Sequence, residues 1–241
     1  MKLINSFFLS LLCIIAATSC NSGSNTDNTN AAATATADSA GSGSVDGFKL
    51  GVQMWTFRMF SVTDALNKVD SAGIKNIEAF FGQPLGGDMK GNFGPEMDAD
   101  TRAKLKALLQ SKGISIVAMG VISPKDKAEW VKAFDLAAEF GLSYITSEPK
   151  KDQWDMVDSL AGAYAIKVAI HDHPKPSGYW SPDSVLAAIK GHSNIGACAD
   201  IGHWPRSGLD PVECLKKLDG HVIGVHLKDI VAFDVINAAD T

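Results

Sequence analysis

From residue 48 onward the chain repeats one unit, a short apolar run followed by an amphipathic helical stretch. The apolar runs are FKLGVQM (48–54), IKNIEAF (74–80), ISIVAMG (114–120), SYITSE (143–148), IKVAIH (166–171), NIGACAD (194–200) and HVIGVHL (221–227). Most are apolar or β-branched at both alternating positions, which suits strands covered on both faces of a parallel sheet. Between them, TDALNKVDSAG, DADTRAKLKALLQSKG and KAEWVKAFDLAAEFG carry apolar residues three and four apart and stop at Gly73, Gly113 and Gly141, the residue type that commonly ends a helix. Strand centres recur with a period of roughly 27 residues, the length of one strand, one helix and two short loops. Seven such units predict an α/β protein whose parallel sheet rolls into a (β/α) TIM barrel rather than an open doubly wound sheet. No G-x-G-x-x-G follows the first run to favour the open alternative. After HLKDI the chain runs only VAFDVINAADT, so the barrel expected over 47–241 is incomplete, with its eighth strand missing and the sequence read as a fragment.

The residues ahead of the barrel read differently. MKLINSFFLSLLCIIAATSC places Lys2 before an apolar run and small residues before Cys20, the pattern of a secretory signal over 1–19 that is too short for a comfortable membrane span. A cysteine directly after the small residues is similar to a bacterial lipobox, which would lipidate Cys20 and leave the protein exported and held at a membrane through a lipid anchor only. Residues 20–46 are small and polar without a periodic apolar face and are expected to form a flexible tether. Beyond Cys20 only Cys198 and Cys214 remain; Cys198 shares strand parity with Asp200 while Cys214 falls in the following helical segment outside the sheet, so two buried thiols are expected rather than a disulfide. With 46% hydrophobic residues the chain can bury one sizeable core, and a net charge of −5 offers no basic field for nucleic acid. A small molecule is the expected partner.

Barrels of this kind place their chemistry where strands end, at the C-terminal rim. Here the strand ends carry Gln53 with Trp55, Glu78, Glu148, His171 with His173, Asp200 with His203, and His226 with Lys228; only the third run ends without such a residue. Two carboxylates and four imidazoles gathered from strands four to seven would be costly to bury without a partner or a metal. Mixed nitrogen and oxygen ligands suit Mn²⁺, Co²⁺, Zn²⁺ or Fe²⁺ better than Ca²⁺. Such an ion would polarise a carbonyl and ease loss of a neighbouring C–H proton.

The stretches VAIHDHP and ACADIGHWPRSGLDPVECLKKLDGHVIGVHLKDI, read with IEAF after the second strand, resemble the sugar phosphate isomerase/epimerase group of xylose-isomerase-like TIM barrels. The resemblance covers most of 48–230 and rests on a D-x-x-H followed by H-x-K-D. It implies a metal site built from a glutamate on strand five, an aspartate on strand six, a histidine on strand seven and a glutamate on strand eight. Asp200 matches the aspartate, His226 the histidine, and His203 the histidine that contacts substrate. His171 stands where strand five should carry glutamate, and no strand-eight glutamate is present, so both departures fall on the acid and base of the epimerases.

The site assigned on this basis has His171, Asp200 and His226 as metal ligands, with Glu148, His203 and Lys228 as catalytic residues. Trp55, Glu78, His173 and Trp204 are assigned to substrate binding, the aromatics as part of a sugar-stacking wall. Alternatives remain at several positions: Glu148 serves as base or as a replacement ligand, His171 as ligand or as a satisfied polar residue, and Lys228 as a substrate contact or a rim ion pair with Asp229. Two functional readings follow, a metal-dependent sugar isomerase or epimerase, and a carbohydrate-binding barrel without catalysis.

Overall fold

The computed structural model describes residues 48–230 together with Ser44 and Val45. The expected signal, Cys20, most of the tether and the final residues 231–241 lie outside the described residues. Seven strands form one parallel sheet in sequential order: β1 (Gly51–Gln53), β2 (Asn76–Ala79), β3 (Ser115–Ile122), β4 (Tyr144–Ser147), β5 (Lys167–His171), β6 (Ile195–Asp200) and β7 (Val222–His226). Each expected apolar run therefore supplies a strand. The first is shorter than its sequence pattern, because Phe48 and Lys49 leave the sheet to pair antiparallel with Ser44 and Val45. The third is longer and runs on to Ile122.

The sheet is rolled rather than flat. At about 4.8 Å between neighbouring strands, β2 and β7 would lie about 24 Å apart in a flat sheet, yet His226 of β7 bonds to Glu78 of β2 at 2.7 Å. Lower in the roll, a Cβ on Gly224 of β7 would come within 2.7 Å of the Tyr144 hydroxyl from β4. Only a hydrogen at position 224 lets that ring fill the lumen. This is the TIM-barrel arrangement, with β1 and β7 as the two edges of the sheet among the described residues.

Helices α1 (Val62–Ser71), α2 (Ala99–Lys112), α3 (Lys127–Phe140), α4 (Trp154–Tyr164), α5 (Pro182–Ile189), the short α6 (His203–Arg206) and α7 (Pro211–Lys217) alternate with the strands. Side chains of Ser61, Asp98, Asp126, Ser181 and Asp210 each accept the backbone N–H three residues on, which satisfies a donor that the first helical turn would otherwise leave unpaired. Gly113 and Gly141 close α2 and α3 in the left-handed conformation, as the sequence suggests. The helices bury Leu66, Leu105, Trp130, Phe134 and Leu136 against the sheet, each such side chain contributing roughly 1.5–3 kcal/mol. Cys198 and Cys214 are both buried free thiols. No helix among the described residues is long and apolar enough to cross a membrane.

Candidate active site

Parallel pairing in register brings the strand ends level. Gln53 stands opposite Glu78, Cys198 opposite His171, and Asp200 opposite His226. Successive strand residues alternate between lumen and exterior, so the last inward position of each strand faces the same space at the rim. Glu78, Glu148, His171, His173, Asp200, His203, His226 and Lys228 meet there in one connected cluster.

Asp200 is its hub. Its Oδ2 lies 3.0 Å from Lys228 Nζ, 3.5 Å from His171 Nε2, 3.5 Å from His203 Nε2 and 3.9 Å from His226 Nδ1. Its other oxygen accepts the Gly202 N–H at 3.1 Å, which fixes the carboxylate plane. Burial works against ionisation of Asp200, but His171, His203 and Lys228 outweigh it and hold the carboxyl well below the usual carboxylate range. Burial also opposes charge on His171, which Asp200 and Glu148 overcome, raising it to about 9. His203 goes the other way: burial, helped by the neighbouring Lys228, His171 and His173, lowers it to about 3. A neutral His203 suits its contact with Lys228, whose Nζ donates to His203 Nε2 at 2.9 Å.

Glu148, at the end of β4, has both oxygens engaged. Oε1 bonds to His173 Nδ1 and lies 3.6 Å from His171 Nδ1, while Oε2 accepts the Ser177 hydroxyl at 2.9 Å. Burial pushes the Glu148 carboxyl up, but His171 and His173 outweigh it and hold it at about 2. A carboxylate so committed is better suited to orienting His173 than to accepting a proton itself.

Two expected or overlooked residues change places. Trp204 is completely buried in the core, so it does not present a face to a sugar; this corrects its assignment to substrate binding. Asp172 was absent from the sequence assignment because strand parity turns it away from the lumen. It is buried, and its Oδ1 accepts the Asp200 backbone N–H at 2.8 Å, tying the ends of β5 and β6 together. Burial pushes its carboxyl up to about 8. The His-Asp-His spacing of 171–173 was the available signal. Trp55 does stand exposed on the rim, edge-on to Phe80 at 5.1 Å between ring centres. Glu78, expected to bind substrate, is buried and bonded to His226.

The donor set fits a divalent ion. One ligand atom each from His171, Asp200 and His226 lie within 4.8 Å of one another, as do atoms of His171, His173 and His203. Ligands about 2.1 Å from a tetrahedral ion stand about 3.4 Å apart, close to the 3.5 and 3.9 Å seen from Asp200 to His171 and His226. His171 Nδ1 and Glu78 Oε1 are buried with no hydrogen-bond partner among the described residues.

Known proteins share this architecture. The chain matches a solved structure of an uncharacterised protein from Parabacteroides distasonis with 38% identity and a TM-score of 0.66, covering 74% of each chain. A D-tagatose 3-epimerase-like protein matches with 18% identity and a TM-score of 0.58, over 74% of this chain and 75% of the other. The 3-keto-D-glucoside 4-epimerase of E. coli matches with 11% identity and a TM-score of 0.56, over 74% and 78%. At those two identities the likeness is one of fold. No curated protein sequence matches significantly. Residues 66–235, from within α1 to beyond the last rim histidine, match the model of one family, and with that span the chain belongs to the xylose isomerase-like TIM-barrel family.

Proposed function

We propose that this protein is an exported, lipid-anchored, metal-dependent isomerase or epimerase acting on a sugar or keto-sugar. The observation that carries the reading is the convergence of His171, Asp200 and His226 beside the Glu148–His173 pair at the strand ends of a xylose isomerase-like barrel. One of the fold's relatives is named a sugar epimerase and another an epimerase-like protein, which supports a sugar as substrate class. When bound by His171, Asp200 and His226, an ion such as Mn²⁺, Co²⁺, Zn²⁺ or Fe²⁺ supplies Lewis acidity to a substrate carbonyl.

The chain's own residues do the rest. Glu148 anchors His173 through Nδ1, and Ser177 anchors Glu148, so the partly exposed His173 ring is held in one orientation at the mouth. His173 is the group that takes the proton from the carbon beside the carbonyl, with Glu148 stabilising the imidazolium that results. Lys228, poised between Asp200 and His203, is placed to hold a developing negative charge on substrate oxygen. Trp55 offers a ring face at the rim for the sugar.

Solvent exchange tests this reading. Keto-sugars incubated in D₂O with protein and Mn²⁺ should gain deuterium beside the carbonyl by NMR, and His173→Ala should slow that gain by roughly 100-fold or more. A broad panel that binds without any exchange would overturn the enzyme reading in favour of a carbohydrate-binding barrel. Export rests on the N-terminal pattern ending at Cys20. Cys20→Ala should leave the protein unprocessed or free of the membrane fraction, and a processed variant that stays at the membrane would refute the lipid anchor.

A further inference from the structure

Glu78 is a carboxylate at the end of β2, buried to 5% exposure, five strands from the histidine it touches. Its Oε2 lies 2.7 Å from His226 Nε2, while its Oε1 has no hydrogen-bond partner among the described residues. A carboxylate buried with a single polar partner is costly to keep unless that partner matters. Glu78 stands outside the group of ligand atoms formed by His171, Asp200 and His226. The His226 ring is strung between two carboxylates, with Nε2 on Glu78 and Nδ1 turned to Asp200 at 3.9 Å.

An imidazole bonded to a carboxylate through one nitrogen carries its proton there and leaves the other nitrogen's lone pair free. We infer that Glu78 is a positioning residue: by accepting from His226 Nε2 it fixes the tautomer in which Nδ1 is the metal-binding atom, and it does so from the opposite side of the barrel. The rim would then be pinned across its mouth, with β2 setting the orientation of a ligand on β7. Glu78 itself neither touches the ion nor the substrate. Partners of this kind usually change metal affinity by about 10- to 100-fold.

The inference rests on His226 being a ligand, as the proposed function requires, and the experiment separates the two. Histidine ¹⁵N NMR of the metal-free protein reads the His226 tautomer directly. Wild type should show the proton on Nε2, and Glu78→Gln, which keeps shape but can donate as well as accept, should show a mixture. Calorimetric titration with Mn²⁺ should give Glu78→Gln a Kd about 10- to 100-fold higher than wild type, while the melting temperature of the metal-free protein changes little. A wild-type His226 protonated on Nδ1 would overturn the inference, as would an unchanged Kd and tautomer in Glu78→Gln. A wild type that binds no Mn²⁺ would overturn the proposed function, while the tautomer still decides whether Glu78 orients His226. Should Glu78→Gln be unfolded, Glu78→Ala with added acetate gives a second reading: return of the Nε2-protonated form on acetate supports the inference, and its absence in a folded variant refutes it.

Discussion

The two ends of the same barrel treat polar groups in opposite ways. At the N-terminal ends of the strands several polar side chains find partners. Lys75 bonds to Asp70 at 2.8 Å and to the Lys112 carbonyl at 3.0 Å, Lys167 donates to the Ser193 carbonyl at 2.8 Å, and Asp158 takes both the backbone and the side-chain amide of Asn194, at 2.7 and 3.2 Å. At the C-terminal ends, His171 Nδ1 and His203 Nδ1 of the rim cluster are buried without hydrogen-bond partners among the described residues. Saturated groups tie strands and helices together, whereas withheld bonding capacity is available to something that arrives. In a TIM barrel this asymmetry separates stability from chemistry.

The largest test of that division is Asp200→Ala. Losing the hub of the rim should weaken Mn²⁺ binding by more than about 100-fold and abolish deuterium exchange. Titration calorimetry that finds wild-type affinity would mean the rim's unmet capacity has another purpose. Asn194→Ala at the opposite end should behave in reverse, costing about 1–2 kcal/mol in urea unfolding with no change in Mn²⁺ affinity. A metal affinity that falls together with stability would erase the distinction between the ends. The smallest effect belongs to the helical layer, where Arg102 and Lys106 converge on Glu139. The Lys106 hydrogen bond, opposed by slight burial and joined by Arg102, lowers the Glu139 carboxyl from its ordinary 4.5. A lowered carboxyl contributes stability that is present above the ordinary value and is lost as pH falls through the depressed one. Partly exposed to solvent, this group should account for about 0.5 kcal/mol or less, seen as a shallower acid decline in Glu139→Gln than in wild type as pH falls below the ordinary carboxylate value.

Much of the fold was legible because a period survives noise. Seven apolar runs separated by amphipathic stretches specify a parallel rolled sheet even where single boundaries shift, as at Phe48, whose partners lie in a stretch read as tether. The rim was legible for a related reason: residues ending inward at His171, Asp200 and His226 share strand parity, and parity is carried by the sequence. What parity cannot tell is depth. Trp204 follows a strand just as Trp55 does, but one is a completely buried residue of α6 while the other faces solvent. Nor can a local pattern reveal a bond that spans the barrel, such as Glu78 to His226, or the way Asp172 holds Asp200 from outside the lumen. Helix α4 also ends on Ala165 in the left-handed conformation, φ 54°, a terminus that no glycine marks.

Gly202 has a bearing on how variants of this protein should be judged. A Cβ there would lie 2.7 to 2.9 Å from the Cβ, Cγ and Cδ of Lys228. On its way to Asp200 and His203 the Lys228 side chain occupies the space a Cβ at position 202 would need. One added methyl group would therefore force the lysine to shift, while every histidine, aspartate, glutamate and lysine of the rim stayed in place in the sequence. A homologue carrying alanine at this position would pass any inspection of its charged residues and still have its rim cation displaced, so the smallest residue of the site is the one to read first when sorting working copies from decayed ones.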